Sequence, residues 1–134
     1  MKPDGLMTLR SSHGPAETKD RLVEAVTRSG MAVLARIDHA GAAQKVGLDL
    51  RPTEVLIFGN PKAGTPLMQE VQTMGIDLPL KALVWQDEAG ATWLSYNDPS
   101  WLAARHGLGS RKDKVLEMMS TALENCARQA TGST

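Results

Sequence analysis

Leu80-Lys81-Ala82-Leu83-Val84-Trp85-Gln86-Asp87-Glu88-Ala89-Gly90-Ala91-Thr92-Trp93-Leu94-Ser95-Tyr96-Asn97 decides the fold. Two apolar runs rich in Leu, Val and aromatic residues flank four turn residues, Asp87 to Gly90. A type I turn followed by a left-handed glycine joins such runs into a bulged antiparallel hairpin. Side chains alternate along a strand, so Ala82, Val84 and Trp93 are expected on one face, and Leu83, Trp85, Leu94 and Tyr96 on the other. Both faces are apolar. A chain with few helices is expected to cover one of them and to bury the other against a second copy of the chain; complete coverage by its own helices is the alternative.

Outward from the hairpin, strands are expected near residues 5–11, 31–38 and 53–59, and helices between them. Pro15 opens a helix whose Leu22, Val23, Ala25 and Val26 form an apolar stripe and which stops at Gly30. Shorter helices follow at 39–46, 61–74 and 99–106, ending at Gly47, Gly75 and Gly107. Ser110 to Asp113 reads as a capping box for a last, longest helix bearing Val115, Met119, Ala122 and Cys126 on one side. The residues after Arg128 read as a fraying tail. The order is βαβαβαββαα: an α/β (α+β) two-layer sandwich, with a mixed sheet of about five strands and helices mainly on one face. The mixture is expected because the helix between the second and third strands permits a parallel crossover.

Composition narrows the function classes. The chain has 134 residues, a usual size for one domain, and 42% of them are hydrophobic, enough for a core without metal or disulfide staples. Fifteen basic residues balance fifteen acidic ones, so no global field favours nucleic acid or an anionic membrane. Cys126 is the only cysteine, which excludes an intramolecular disulfide and fits a reducing, cytoplasmic setting. The N-terminal residues carry no signal-peptide-like apolar run, and no stretch approaches the roughly 20 apolar residues that cross a bilayer. The three histidines show no metal-ligand spacing with Cys126 or one another, so neither metal nor cofactor is expected.

Three strand-to-helix junctions carry the chemistry that can be read. Gly59-Asn60-Pro61-Lys62-Ala63-Gly64-Thr65 leaves an apolar strand and enters a helix, where free amides, the helix dipole and Lys62 suit a small anion. It is no Walker A loop, because Thr65-Pro66 stands where Lys-Ser/Thr is required. Helix initiation alone also explains Asn60 as N-cap and Pro61 at the first helical position. Asn97-Asp98-Pro99 repeats that arrangement, and Asp38 precedes His39 at the third junction. Were the three to converge, Asp38, His39, Gly59, Asn60, Lys62, Gly64, Thr65, Asn97 and Asp98 would line one ligand site. His39, with Asp38 beside it, is then the candidate general base of an alternative, enzymatic reading. A purely structural role is the third reading. Cys126 on the apolar stripe reads as packing, and the basic run Arg105 to Lys114 as a solvated helix junction.

The central block, Leu50-Arg51-Pro52-Thr53-Glu54-Val55-Leu56-Ile57-Phe58-Gly59-Asn60-Pro61-Lys62-Ala63-Gly64-Thr65-Pro66-Leu67-Met68, resembles the family called domain of unknown function 302. Ile37-Asp38-His39 before it, and Asp77-Leu78-Pro79-Leu80-Lys81-Ala82-Leu83-Val84-Trp85 with Ser95-Tyr96-Asn97-Asp98-Pro99 after it, resemble the same family in the same order. The resemblance implies a small two-layer α/β domain of bacterial type that forms homodimers. It implies no established activity and so no catalytic residue. Together these readings favour a non-catalytic dimeric domain that takes a small anionic ligand at the strand-to-helix loops.

Overall fold

The structure, a computed structural model, describes residues 3–132. Its strands are β1 (Leu6–Arg10), β2 (Ala32–Asp38), β3 (Thr53–Gly59), β4 (Leu80–Gln86) and β5 (Thr92–Asn97). Its helices are α1 (Pro15–Arg28), α2 (His39–Lys45), α3 (Pro61–Glu70), α4 (Pro99–Arg105) and α5 (Asp113–Thr131), with a 3-10 turn at Gln72–Ile76 after α3. The order of strands and helices is the one expected. Gly90, at φ +85°, takes the left-handed position that closes the β4–β5 turn. Asp87 holds that turn: its Oδ1 accepts from the amides of Ala89 at 3.0 Å and Ala91 at 2.9 Å, and its Oδ2 accepts from Trp93 Nε1 at 2.8 Å.

The sheet runs β1-β5-β4-β3-β2, and all four pairings are antiparallel, which corrects the expected mixed sheet. The reason lies in the β2–β3 connection. Asp38, the last residue of β2, sits opposite Glu54 near the start of β3, so the chain re-enters at the end it left. A seven-residue helix such as α2 rises only about 10 Å, and here it forms part of a long hairpin loop rather than a crossover.

Register also corrects the expected faces. Ala82 pairs with Tyr96 and Val84 with Leu94, while Trp85 pairs with Trp93 and Leu83 with Ser95. Directly opposed residues share a face. The core face therefore carries Leu56, Phe58, Leu80, Ala82, Val84, Leu94 and Tyr96, and Trp93 joins Leu83 and Trp85 on the other. On the core face lie α1, with Leu22, Ala25 and Val26 buried, and α5, with Leu116, Met119, Leu123, Cys126, Ala127 and Ala130 buried. Each large apolar side chain buried there contributes about 1.5–3 kcal/mol.

Three local expectations give way. The helix expected over 61–74 breaks at Val71, whose extended backbone (φ −138°, ψ 101°) ends α3, and Gly75 falls inside the 3-10 turn that follows. The capping box at Ser110 does not form: α5 starts at Asp113 after Lys112, with no side-chain cap. The expected tail after Arg128 stays helical through Thr131, with Ala130 and Thr131 buried; the last two residues of that tail lie outside the described residues.

Candidate functional site

The three junctions do not form one site. With β2 running opposite to β3, Asp38 and His39 lie at one end of the sheet, and Asn60 follows the far end of β3. Asn97 ends β5, which is parallel in direction to β3 and separated from it by β4, so Asn97 and Asp98 share an end with Asn60 and Lys62 but not a strand boundary.

Each junction is a helix start capped by its own side chain. Asp38 Oδ1 accepts from Gly41 N at 2.9 Å, Asn60 Oδ1 from Lys62 N at 2.9 Å and Asp98 Oδ1 from Ser100 N at 3.0 Å. The amides of Ala63 and Gly64 both donate to the carbonyl of Asn60, at 2.9 and 3.1 Å. The glycine-rich segment is thus the first turn of α3, with Gly64 and Thr65 inside the helix, and its amides are satisfied locally. Gly59 is buried, while His39, Asn60, Lys62 and Thr65 are exposed. Asp38 lines an open cavity of about 420 Å³ with Gln44, Leu48, Asp49, Glu54 and Val84. No other residue of the expected ligand set lines that cavity.

The helix-free face is the larger feature. Trp85 and Trp93 stack with ring centroids 6.1 Å apart, and Arg10 lies 5.9 Å from the Trp93 centroid. Ser95 accepts from Trp85 Nε1 at 2.9 Å and is bonded to Thr8 Oγ1 at 2.9 Å, and with Trp93 Nε1 on Asp87 both indole N–H groups are satisfied. Val55, Ile57 and Leu83 continue the surface, all half-buried, and Ile37 reaches its rim at 43% exposure. None of these packs against the core cluster.

A further group escaped sequence reasoning. Asp77, before β4, accepts from His106 Nε2 at 2.6 Å and from Arg105 Nη1 at 2.9 and 3.1 Å. His106 Nδ1 lies 2.8 Å from Thr73 Oγ1. The side chains of Asp77 and His106 are largely buried, and Thr73 is exposed. Twenty-nine residues separate Asp77 from His106, and no spacing rule links them. In the basic run Arg105 to Lys114, Arg105 and His106 pair with Asp77, Arg111 donates to the carbonyls of Leu108 and Gly107, and Arg111 and Lys112 lie 3.5 and 3.8 Å from Glu70. Cys126 is fully buried, and that burial pushes its thiol up, against a smaller opposing effect from the Ser29 hydroxyl at 3.3 Å. No group of His, Cys, Asp and Glu suited to a metal ion occurs among the described residues, and no helix there is long and apolar enough to cross a membrane.

A solved structure shares this fold. A crystal structure of the uncharacterized conserved protein DUF302 from Bacillus stearothermophilus is similar with a TM-score of 0.85 and 25% identity, over 96% of this chain and 99% of that one. Among curated proteins, the chain is 46% identical over 128 residues to "Fluoride-specific ion channel FluC 1" of Brucella suis biovar 1 and to "Fluoride-specific ion channel FluC 2" of Brucella melitensis biotype 1. Those matches cover 96% of this chain but 50% and 47% of the two relatives, so the chain spans about half the length of the curated proteins it matches. The model for the family "Domain of unknown function DUF302" matches residues 7–126, and with sheet, helices and register in place, the chain belongs to that family.

Proposed function

We propose that this chain is an extramembrane association domain, which pairs with a second copy of itself through the helix-free face and which, in its Brucella relatives, accompanies an ion channel carried by the other half. The observation that carries the reading is the stacked Trp85–Trp93 pair on an apolar sheet face that packs against none of the core. Five strands spaced by about 4.8 Å and about six residues long cover roughly 500 Å² in plan. A standard interface takes about 800 Å² from each partner, so two such faces laid together, with the relief of their side chains, suit a weak dimer. The face suits a copy of itself because its centre is uncharged: the register places only Arg10, on the edge strand, and Lys81, at one end of β4, among its outward residues, and Asp87 at the hairpin rim offers each Arg10 an opposite charge.

The channel association rests on the relatives' name and on length. Ion conduction needs a membrane-spanning part, and the matched half has no helix suited to it among the described residues, so conduction falls to the half this chain does not match. Two paired domains would then hold two channel polypeptides together. A reducing, cytoplasmic location agrees with the buried free thiol of Cys126. Anion binding at the glycine-rich turn draws no support from the geometry, because the amides of Lys62, Ala63 and Gly64 are already bonded to Asn60.

Methyl NMR during dilution tests the pairing directly. Signals of Leu83, Val55 and Ile57 are expected to move with concentration, while Leu22 and Leu94, sealed in the core, stay in place. Concentration-independent positions for the sheet-face methyls would remove the proposal.

A further inference from the structure

The geometry points to Thr73 as an activated hydroxyl, a nucleophile for small activated acyl esters, with His106 as its general base and Asp77 as the group that orients the base. The inference stands apart from the association reading, since the 3-10 turn and the end of α4 lie away from the helix-free face. It follows from donors and acceptors. Asp77, held by the Arg105 guanidinium, can only accept, so His106 Nε2 carries the proton that spans the 2.6 Å contact. In the neutral ring Nδ1 is then a bare lone pair, and the Thr73 hydroxyl donates to it across 2.8 Å. The hydroxyl oxygen is left with its lone pairs free, on a side chain exposed to solvent. A hydroxyl, an imidazole and a carboxylate joined in this order are the parts from which nucleophilic hydrolases are built, on folds that share nothing else.

One contrast favours chemistry over a mere clamp between the 3-10 turn and α4. The imidazole and carboxylate are largely withdrawn from water, at 9% and 12% side-chain exposure, which keeps the ring in one orientation, while the hydroxyl at the end of the chain is exposed. In the step itself, Thr73 Oγ bonds to the carbonyl carbon as its proton passes to His106 Nδ1. The carbon–oxygen bond to the leaving group then breaks, the proton follows that oxygen, and the acyl group stays as an ester on Thr73.

The test is to mix the whole chain with p-nitrophenyl acetate, follow p-nitrophenol release and locate the acetyl group by peptide mass spectrometry. The expected result is a burst of about one equivalent with the acetyl on Thr73, slower by roughly a hundredfold or more in Thr73→Ala, as loss of a based nucleophile predicts. Thr73→Ser should keep the burst. Asp77→Asn should lose it with the helical signal intact, because an amide facing Nε2 favours the other ring tautomer, which then cannot accept from Thr73. Equal release by wild type and Thr73→Ala, or acetyl found on lysines and not on Thr73, overturns the inference.

Discussion

Asp87 shows how much one side chain can settle. Its carboxylate closes the hairpin and anchors Trp93, and the Trp93 bond first, then the amides of Ala91 and Ala89, hold its pKa below the ordinary aspartate value. A group whose pKa is lower folded than unfolded lends stability that is present above the unfolded value and lost as pH falls through the folded one. Acid titration should therefore weaken the wild-type hairpin below about pH 4, while Asp87→Asn should flatten that part of the stability–pH curve; an unchanged acid limb in the variant would contradict the assignment. Asn60 makes the matching case for caps. Asn60→Ala should cost about 1 kcal/mol in chemical denaturation and leave phosphate without effect on melting in either protein. Melting raised by phosphate in wild type alone would restore the anion reading of this loop. At this scale the sequence was legible: Asp38, Asn60 and Asp98 cap as their residue types dictate. Asp77, His106 and Thr73 were not, because what joins them is the packing of a 3-10 turn against the end of α4 and not a local pattern.

Elements were legible where hydrophobic period and punctuation agreed, and misread where they did not. β4 and β5 are marked by their apolar runs and Asp87–Gly90 turn, yet which residues face the core depends on cross-strand register, and a shift of one residue moves Trp93 to the opposite face. The run from Pro61 onward keeps helical spacing through Met74, and only the extended backbone at Val71 divides it. On α5 the expected stripe of Val115, Met119, Ala122 and Cys126 lies beside the observed one, centred on Leu116, Met119, Leu123 and Cys126. Leu123, 1% exposed, is the better probe of that packing, and Leu123→Ala should cost about 2–5 kcal/mol by urea denaturation. Val115→Ala, on the half-buried flank, should cost clearly less. Equal losses would mean that α5 packs by another face.

For the whole molecule, the apolar hairpin anticipated a sheet with one face left over, while strand directions and the separation of the junctions needed the pairing itself. That separation removes the single-pocket arrangement and leaves the helix-free face as the feature a partner can use. Leu83 sits on that face, outside the core cluster, opposite Ser95. Leu83→Glu should leave monomer stability within about 1 kcal/mol of wild type, as for most substitutions outside the core, yet place like charges near the two-fold axis of a dimer. Sedimentation velocity from about 1 to 500 µM brackets the affinity expected of a small interface. The prediction is a wild-type chain that moves from monomer to dimer across that range and a Leu83→Glu chain that stays monomeric; a wild type that remains monomeric throughout, or a variant that dimerises equally well, contradicts the pairing of two copies through this face.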